Sequence, residues 1–242
     1  MPIKSALSSL PFRVAPSLAG LLLGGALLLS VIGTGFGSMT HDLNRMEALA
    51  LERYGADAAR TVAAWRRMML EAQALPALEQ LGRVNAFFNR NIAFDDDNII
   101  WKQQDYWATP LETLARGAGD CEDFSIAKYM TLRLLGMPAE RLKLIYVRAR
   151  IGGEGSTVTQ AHMVVGYFAE PGGEPLVLDN LIRDIRPAAR RPDLFPVFSF
   201  DSEGLWVGNS TTSAADPTAR LSRWRDALFR MQREGLHFAP TP

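Results

Sequence analysis

From residue 42 to about residue 135 apolar side chains recur every three or four positions, and from 142 onward they alternate or fall in short runs. The first regime predicts helices. Leu43, Met46 and Leu49 mark one over 42–53; Val62, Trp65, Met69 and Ala72 mark a second over 57–75, closed by Pro76. Leu78, Leu81, Val84 and Phe88 give the buried stripe of a third over 77–88. Thr109, Pro110 and Glu112 form a capping box with proline at the first helical position, so a short helix starts there and Gly117 ends it. The last helix of this half runs from Cys121 to Leu135, with Gly136 just past its end and Pro138 beyond. Ala127, Met130 and Leu134 are its predicted buried face.

The second regime predicts strands at 142–150, 158–168 and 176–180, separated by glycine-rich turns at 152–156 and 170–175, with further extended pieces at 196–200 and 205–207. A helical half followed by an antiparallel meander is an α+β fold, with the helix that begins at Cys121 packed on the sheet. Residues 210–217 are polar and turn-rich and read as a linker. Beyond them Leu221, Trp224, Leu228 and Met231 mark one more amphipathic helix, expected to dock back on the domain. The chain thus divides into 1–40, a domain at 41–208, and a linker with a helix at 209–242.

Charge changes the picture at both ends of the argument. Lys4 and Arg13 precede an uncharged stretch from Val14 to Thr40, the layout of a secretory signal peptide and also long enough for an N-terminal membrane anchor of about 20 residues. Either places the rest of the chain outside the cytoplasm, in a bacterial periplasm. Over all 242 residues Lys+Arg number 26 and Asp+Glu 26, so there is no basic bias and nucleic acid is set aside as a partner. The single cysteine has no partner within the chain, and a free thiol in an oxidising compartment is a liability unless buried or used.

That cysteine lies in Gly117-Ala118-Gly119-Asp120-Cys121-Glu122-Asp123. A helix N-terminus lowers a thiol pKa, whereas adjacent carboxylates raise it, so something must neutralise them. Helix capping accounts for Asp120 and Asp123 but says little about Glu122. A cysteine nucleophile needs a base and a group to orient it. Of the three histidines, His41 and His237 lie near the chain's ends, and His162 lies on a predicted strand. Asp179 is the first candidate to orient it, with Asp184 and Asp193 as alternatives. Pairing His162 directly opposite Asp179 centres the hairpin before its Gly172-Gly173 turn, so that pairing requires a bulge or an asymmetric loop. The acidic run 94–98 lacks EF-hand spacing and reads as a solvated turn. The aromatic segment 101–107 is expected beside the site, lining a substrate groove and offering an oxyanion donor.

Tyr106-Trp107-Ala108-Thr109-Pro110, Gly119-Asp120-Cys121-Glu122-Asp123, Gln160-Ala161-His162-Met163-Val164 and Leu178-Asp179-Asn180, in this order, resemble the bacterial transglutaminase-like cysteine proteases of the LapG type, within the papain-like and transglutaminase-like superfamily. The resemblance implies a calcium-dependent periplasmic endopeptidase that cuts a large repetitive surface adhesin near its N-terminus and promotes biofilm dispersal. It implies Cys121 as nucleophile, His162 as base, Asp179 as orienting acid, and Asp120 and Glu122 as the Ca²⁺-linked residues. An inner-membrane cyclic-dinucleotide receptor is the implied regulatory partner. Ca²⁺ at Asp120 and Glu122 would neutralise the charge that disfavours the thiolate. A transglutaminase or amidase using the same residues, and a non-catalytic periplasmic calcium module, are the alternatives.

Overall fold

The computed structural model describes residues 39–208 and 212–238; the uncharged N-terminal segment lies outside them, apart from its last two residues. A three-residue strand β1 (Met39–His41) leads into α1 (Leu43–Tyr54), α2 (Ala56–Ala72) and α3 (Ala77–Asn91). Next come the two-residue β2 (Ala93–Phe94), a single helical turn α4 (Asp97–Ile100), α5 (Pro110–Arg116), β3 (Ala118–Gly119) and α6 (Cys121–Leu134). Thr109 caps α5 through the reciprocal bonds of a capping box, and Gly117 closes it in the left-handed conformation at φ 64°. The α3 stripe differs from expectation at its start, where Leu78 is 62% exposed. The buried side turns instead through Gln80 and Asn85, whose amides bond the carbonyls of Ala72 and Arg183.

One antiparallel sheet holds β4 (Leu142–Arg150), β5 (Thr159–Tyr167), β6 (Leu176–Leu178), β7 (Arg186–Pro187), β8 (Leu194–Phe200) and β9 (Leu205–Val207), in the order β7-β6-β5-β4-β8-β9. The chain meanders outward from β4 to β7 and then crosses to the other edge of β4. Helix α6 packs on β4 and β5 with one side and on α3 and α5 with the other. Residues 123–132 are consequently all buried, a wider surface than the face of Ala127, Met130 and Leu134, and Leu134 itself is only partly covered. Two of its buried hydroxyls are tied: Ser125 Oγ donates to Met163 O, and Thr131 Oγ1 accepts from Trp65 Nε1.

The chain ends in α7 (Pro217–Arg220), α8 (Ser222–Arg233) and β10 (Leu236–Phe238), which pairs with β1. Trp224, Ala227 and Met231 of α8 are buried in the same apolar core as α6, the Trp224 ring lying 5.5 Å from Phe200 and 6.2 Å from Tyr129. His41 and His237 sit in the β1–β10 ladder, apart from the sheet that carries His162.

Candidate active site

Cys121 is the first residue of α6, where a backbone N–H has no carbonyl one turn back to bond. Asp120 caps the helix, its carboxylate accepting the Glu122 N–H at 3.1 Å. One turn on, the Ser125–Met163 bond fixes the start of α6 against β5 next to His162. The Cys121 side chain is buried, and its thiol donates to Glu122 Oε2 at 2.7 Å. Among the described residues no hydrogen bond joins it to His162. Burial pushes the Cys121 thiol far above its ordinary range, and the charges of Glu122 and Asp120 add to that; the Met163 N–H opposes them. The carboxylate effect expected from sequence is present, but burial is the larger influence.

His162 Nε2 meets Asp179 Oδ1 at 2.8 Å, with both side chains buried. Of the three candidate carboxylates this is the one that reaches the histidine: Asp184 pairs with Arg186 and Asp193 with Arg191. No bulge is involved. The β5–β6 ladder keeps one register, Val165 opposite Leu178, which sets Asp179 across from Val164. His162 and Val164 share a face of the strand, so Asp179 meets the imidazole diagonally, a separation that side chains of this length span. Burial raises the Asp179 pKa, but bonds from His162, the Leu181 N–H and Arg191 outweigh it and hold the group at about 2. Its backbone carbonyl accepts from Lys128 Nζ at 3.0 Å and Asn89 Nδ2 at 2.8 Å, which pins the turn to α6 and α3.

Beside the cysteine lies a carboxylate cluster. Ligand oxygens of Asp97, Asp120 and Asp123 lie within 4.8 Å of one another, and Asp120, Cys121 and Glu122 form an overlapping group. Asp97 enters through the parallel pairing of β2 with β3, Phe94 opposite Gly119, so the acidic run read as a solvated turn ends in a buried aspartate. Asp123 is fully buried as well; its Oδ1 accepts from the Ala108 N–H at 2.7 Å, whereas its Oδ2 and Asp97 Oδ1 have no partner. Capping alone therefore does not explain Asp123. Burial raises Asp97 to about 6, Asp120 to about 10 and Asp123 well above the carboxylate range; the charge of Glu122 adds to each, and the Tyr106 and Ala108 N–H groups oppose the rise at Asp97 and Asp123. Gly119 is required by this packing, since a Cβ there would come within 2.7 Å of Asp123 Cβ.

A buried all-oxygen donor set with two orphaned carboxylate oxygens fits a hard divalent cation such as Ca²⁺. Asp120, expected as a ligand, belongs to this set. Glu122, the other expected ligand, accepts the thiol. Sequence reasoning passed over Asp97 and Arg191. The latter is buried and bridges Asp179 Oδ2 and Asp193 Oδ2, each at 2.7 Å. The only sequence signal for Asp97 was the density of the acidic run itself. Residues 103–107 of the aromatic segment wall a cleft of 400 Å³ with α8, and neither Cys121 nor His162 lines it. The Tyr106 and Ala108 N–H groups are engaged by Asp97 and Asp123, so neither is a free oxyanion donor.

An α+β fold with a cysteine at a helix start, packed on an antiparallel sheet that carries a His–Asp pair, is the fold of transglutaminase-like cysteine proteinases. Residues 52–206 match the family described as bacterial transglutaminase-like cysteine proteinase BTLCP, and the chain belongs to this family. Among solved structures, LapG of Legionella pneumophila treated with EGTA is 36% identical and aligns over 78% of this chain and 97% of its own, with a TM-score of 0.69. The calcium-bound form of the same protein is also 36% identical, covering 78% and 99%, with a TM-score of 0.67. A search of curated proteins found no match.

Proposed function

We propose that the protein is a calcium-dependent cysteine endopeptidase of the periplasm that cuts a large repetitive surface adhesin near its N-terminus, releasing the cell from a biofilm. Residues 1–40 serve export or anchoring, and an inner-membrane cyclic-dinucleotide receptor restrains the enzyme. Substrate, location and receptor follow from likeness to the LapG type. The chemistry is supported by one observation above the others: the buried His162–Asp179 pair beside the helix start that carries the chain's only cysteine.

With Nε2 held by Asp179, the other ring nitrogen of His162, Nδ1, takes the Cys121 proton. The sulfur attacks the scissile carbonyl carbon, and the C–N bond breaks as His162 returns the proton to the leaving amine. Water, deprotonated at His162, then hydrolyses the thioester and restores the thiol. The Cys121 N–H, left without an intrahelical acceptor, is one donor to the developing oxyanion. Asp97, Asp120 and Asp123 would hold Ca²⁺, which supplies positive charge next to the thiol.

Cys121→Ala should lower cleavage of an adhesin fragment with a site of small residues by roughly 10⁴-fold or more while leaving the thermal midpoint unchanged. EGTA should abolish wild-type cleavage and added Ca²⁺ should restore it. Cleavage by the alanine variant refutes the nucleophile; full activity in excess chelator refutes the calcium requirement.

A further inference from the structure

Helix α8 grips the loop that completes the carboxylate cluster. Arg230 donates to the Tyr106 hydroxyl and to the Trp107 carbonyl, pairs with Glu112 Oε2 at 3.3 Å, and stacks its guanidinium 4.4 Å from the Tyr106 ring centre. Seven residues earlier on α8, Arg223 pairs with Asp105 Oδ2 at 2.8 Å and also donates to the Asp105 carbonyl. Between them the two arginines hold Asp105, Tyr106 and Trp107. The backbone of that stretch delivers its N–H groups to the cluster, Tyr106 to Asp97 Oδ2 and Ala108 to Asp123 Oδ1. The loop does not hold this path by local preference, because Lys102 and Asp105 adopt left-handed φ values of 56° and 53°, a conformation disfavoured for residues with a side chain. Bonds from outside must overdetermine it, and α8 supplies them.

We infer that α8 is a clamp that sets calcium affinity, with Arg223 and Arg230 as positioning residues acting through segment 105–108 on Asp97 and Asp123. This rests on the calcium reading above. A released loop withdraws two hydrogen bonds that orient the carboxylates, so the cation must organise its own ligands on binding, and affinity falls. The chemical step is untouched once the site is full.

The test is calorimetric titration of the full chain with CaCl₂, alongside cleavage measured across the same Ca²⁺ range, for wild type, Arg230→Met and Arg223→Gln. Both variants should bind Ca²⁺ about fivefold or more weakly, and both should regain wild-type cleavage at saturating Ca²⁺. If wild type binds and both variants bind equally well, the clamp is refuted while the calcium site stands. If wild type takes up no Ca²⁺, the calcium reading itself fails. Should Arg230→Met fail to fold with Glu112 unpaired, Arg223→Gln, whose side chain is half-exposed, decides alone. A purely structural role would lower the thermal midpoint and leave the binding constant where it was.

Discussion

Asp179 is held at both ends, its carboxylate by His162, Arg191 and the Leu181 N–H and its carbonyl by Lys128 and Asn89. Its role is therefore separable from its shape. Asp179→Asn keeps the size, loses the charge that stabilises a protonated His162, and leaves Arg191 with Asp193 alone. Cleavage should fall by roughly 10²- to 10⁴-fold. The pKa of Asp179 is depressed to about 2 from an unfolded value near 4. A depressed carboxylate stabilises the fold above the unfolded pKa, and that stability is lost as pH falls through the folded one. The difference in unfolding free energy between wild type and Asp179→Asn, measured in urea, should thus shrink by on the order of 1 kcal/mol between about pH 6 and about pH 3. A constant difference would mean that Asp179 is not ionised by its partners. Cys121, Asp120 and Asp179 were legible because each stands in a local pattern, a turn before a helix or a strand end, whereas His162, inside β5, was reached by elimination of His41 and His237. Arg191 precedes Pro192 in an irregular stretch and becomes meaningful only when β6 and β8 are folded around it.

Elements that carry a period or a turn signal were legible, down to α5 and the three-residue β9, and the two-residue strands were not. The strand 142–150 matches its predicted bounds because glycine turns and a proline delimit it, and a period of two needs only a few residues to declare itself. β2 and β3 have two residues each, too few for any period, yet their parallel pairing carries Asp97 to Asp120. Helix α8 was read as an amphipathic helix, and its apolar stripe docks as expected, but its polar face proves to hold a loop. Just past its end Glu234 is buried with Oε2 unpartnered. Burial, reinforced by Glu112, lifts its pKa to about 7 against the opposing Thr109 bond, Arg230 and Arg53. A carboxylate raised in the fold contributes stability below its unfolded pKa, near 4.3, which is lost as pH climbs through about 7. Glu234→Gln is neutral throughout. It should therefore gain on wild type by on the order of 2–3 kcal/mol between about pH 4 and about pH 8 in urea unfolding. Parallel pH curves for the two proteins would show that Glu234 does not titrate with folding.

At the scale of the molecule, the α+β division was readable from the change of period at residue 142, while the way separate segments converge was not, since convergence is a tertiary property. The carboxylate cluster draws on the turn after β2, the 105–108 loop and the start of α6, so it ties three segments of the helical half together at one point. Without a cation those segments meet through repelling, desolvated carboxylates, and with one they meet through shared ligands. Calcium should then act on the whole fold. At about 100 times its Kd it adds about 2.7 kcal/mol, which raises the thermal midpoint of a domain of this size by about 5–10 °C. Asp97→Asn relieves repulsion and removes a ligand together. Its midpoint in EGTA should lie at or above that of wild type, and the rise with Ca²⁺ should be lost. This opposite response separates a ligand from a residue that merely supports the fold, which would lower the midpoint in EGTA and keep the calcium increment. An undiminished increment in Asp97→Asn would remove Asp97 from the site and return the ligand set to Asp120 and Glu122.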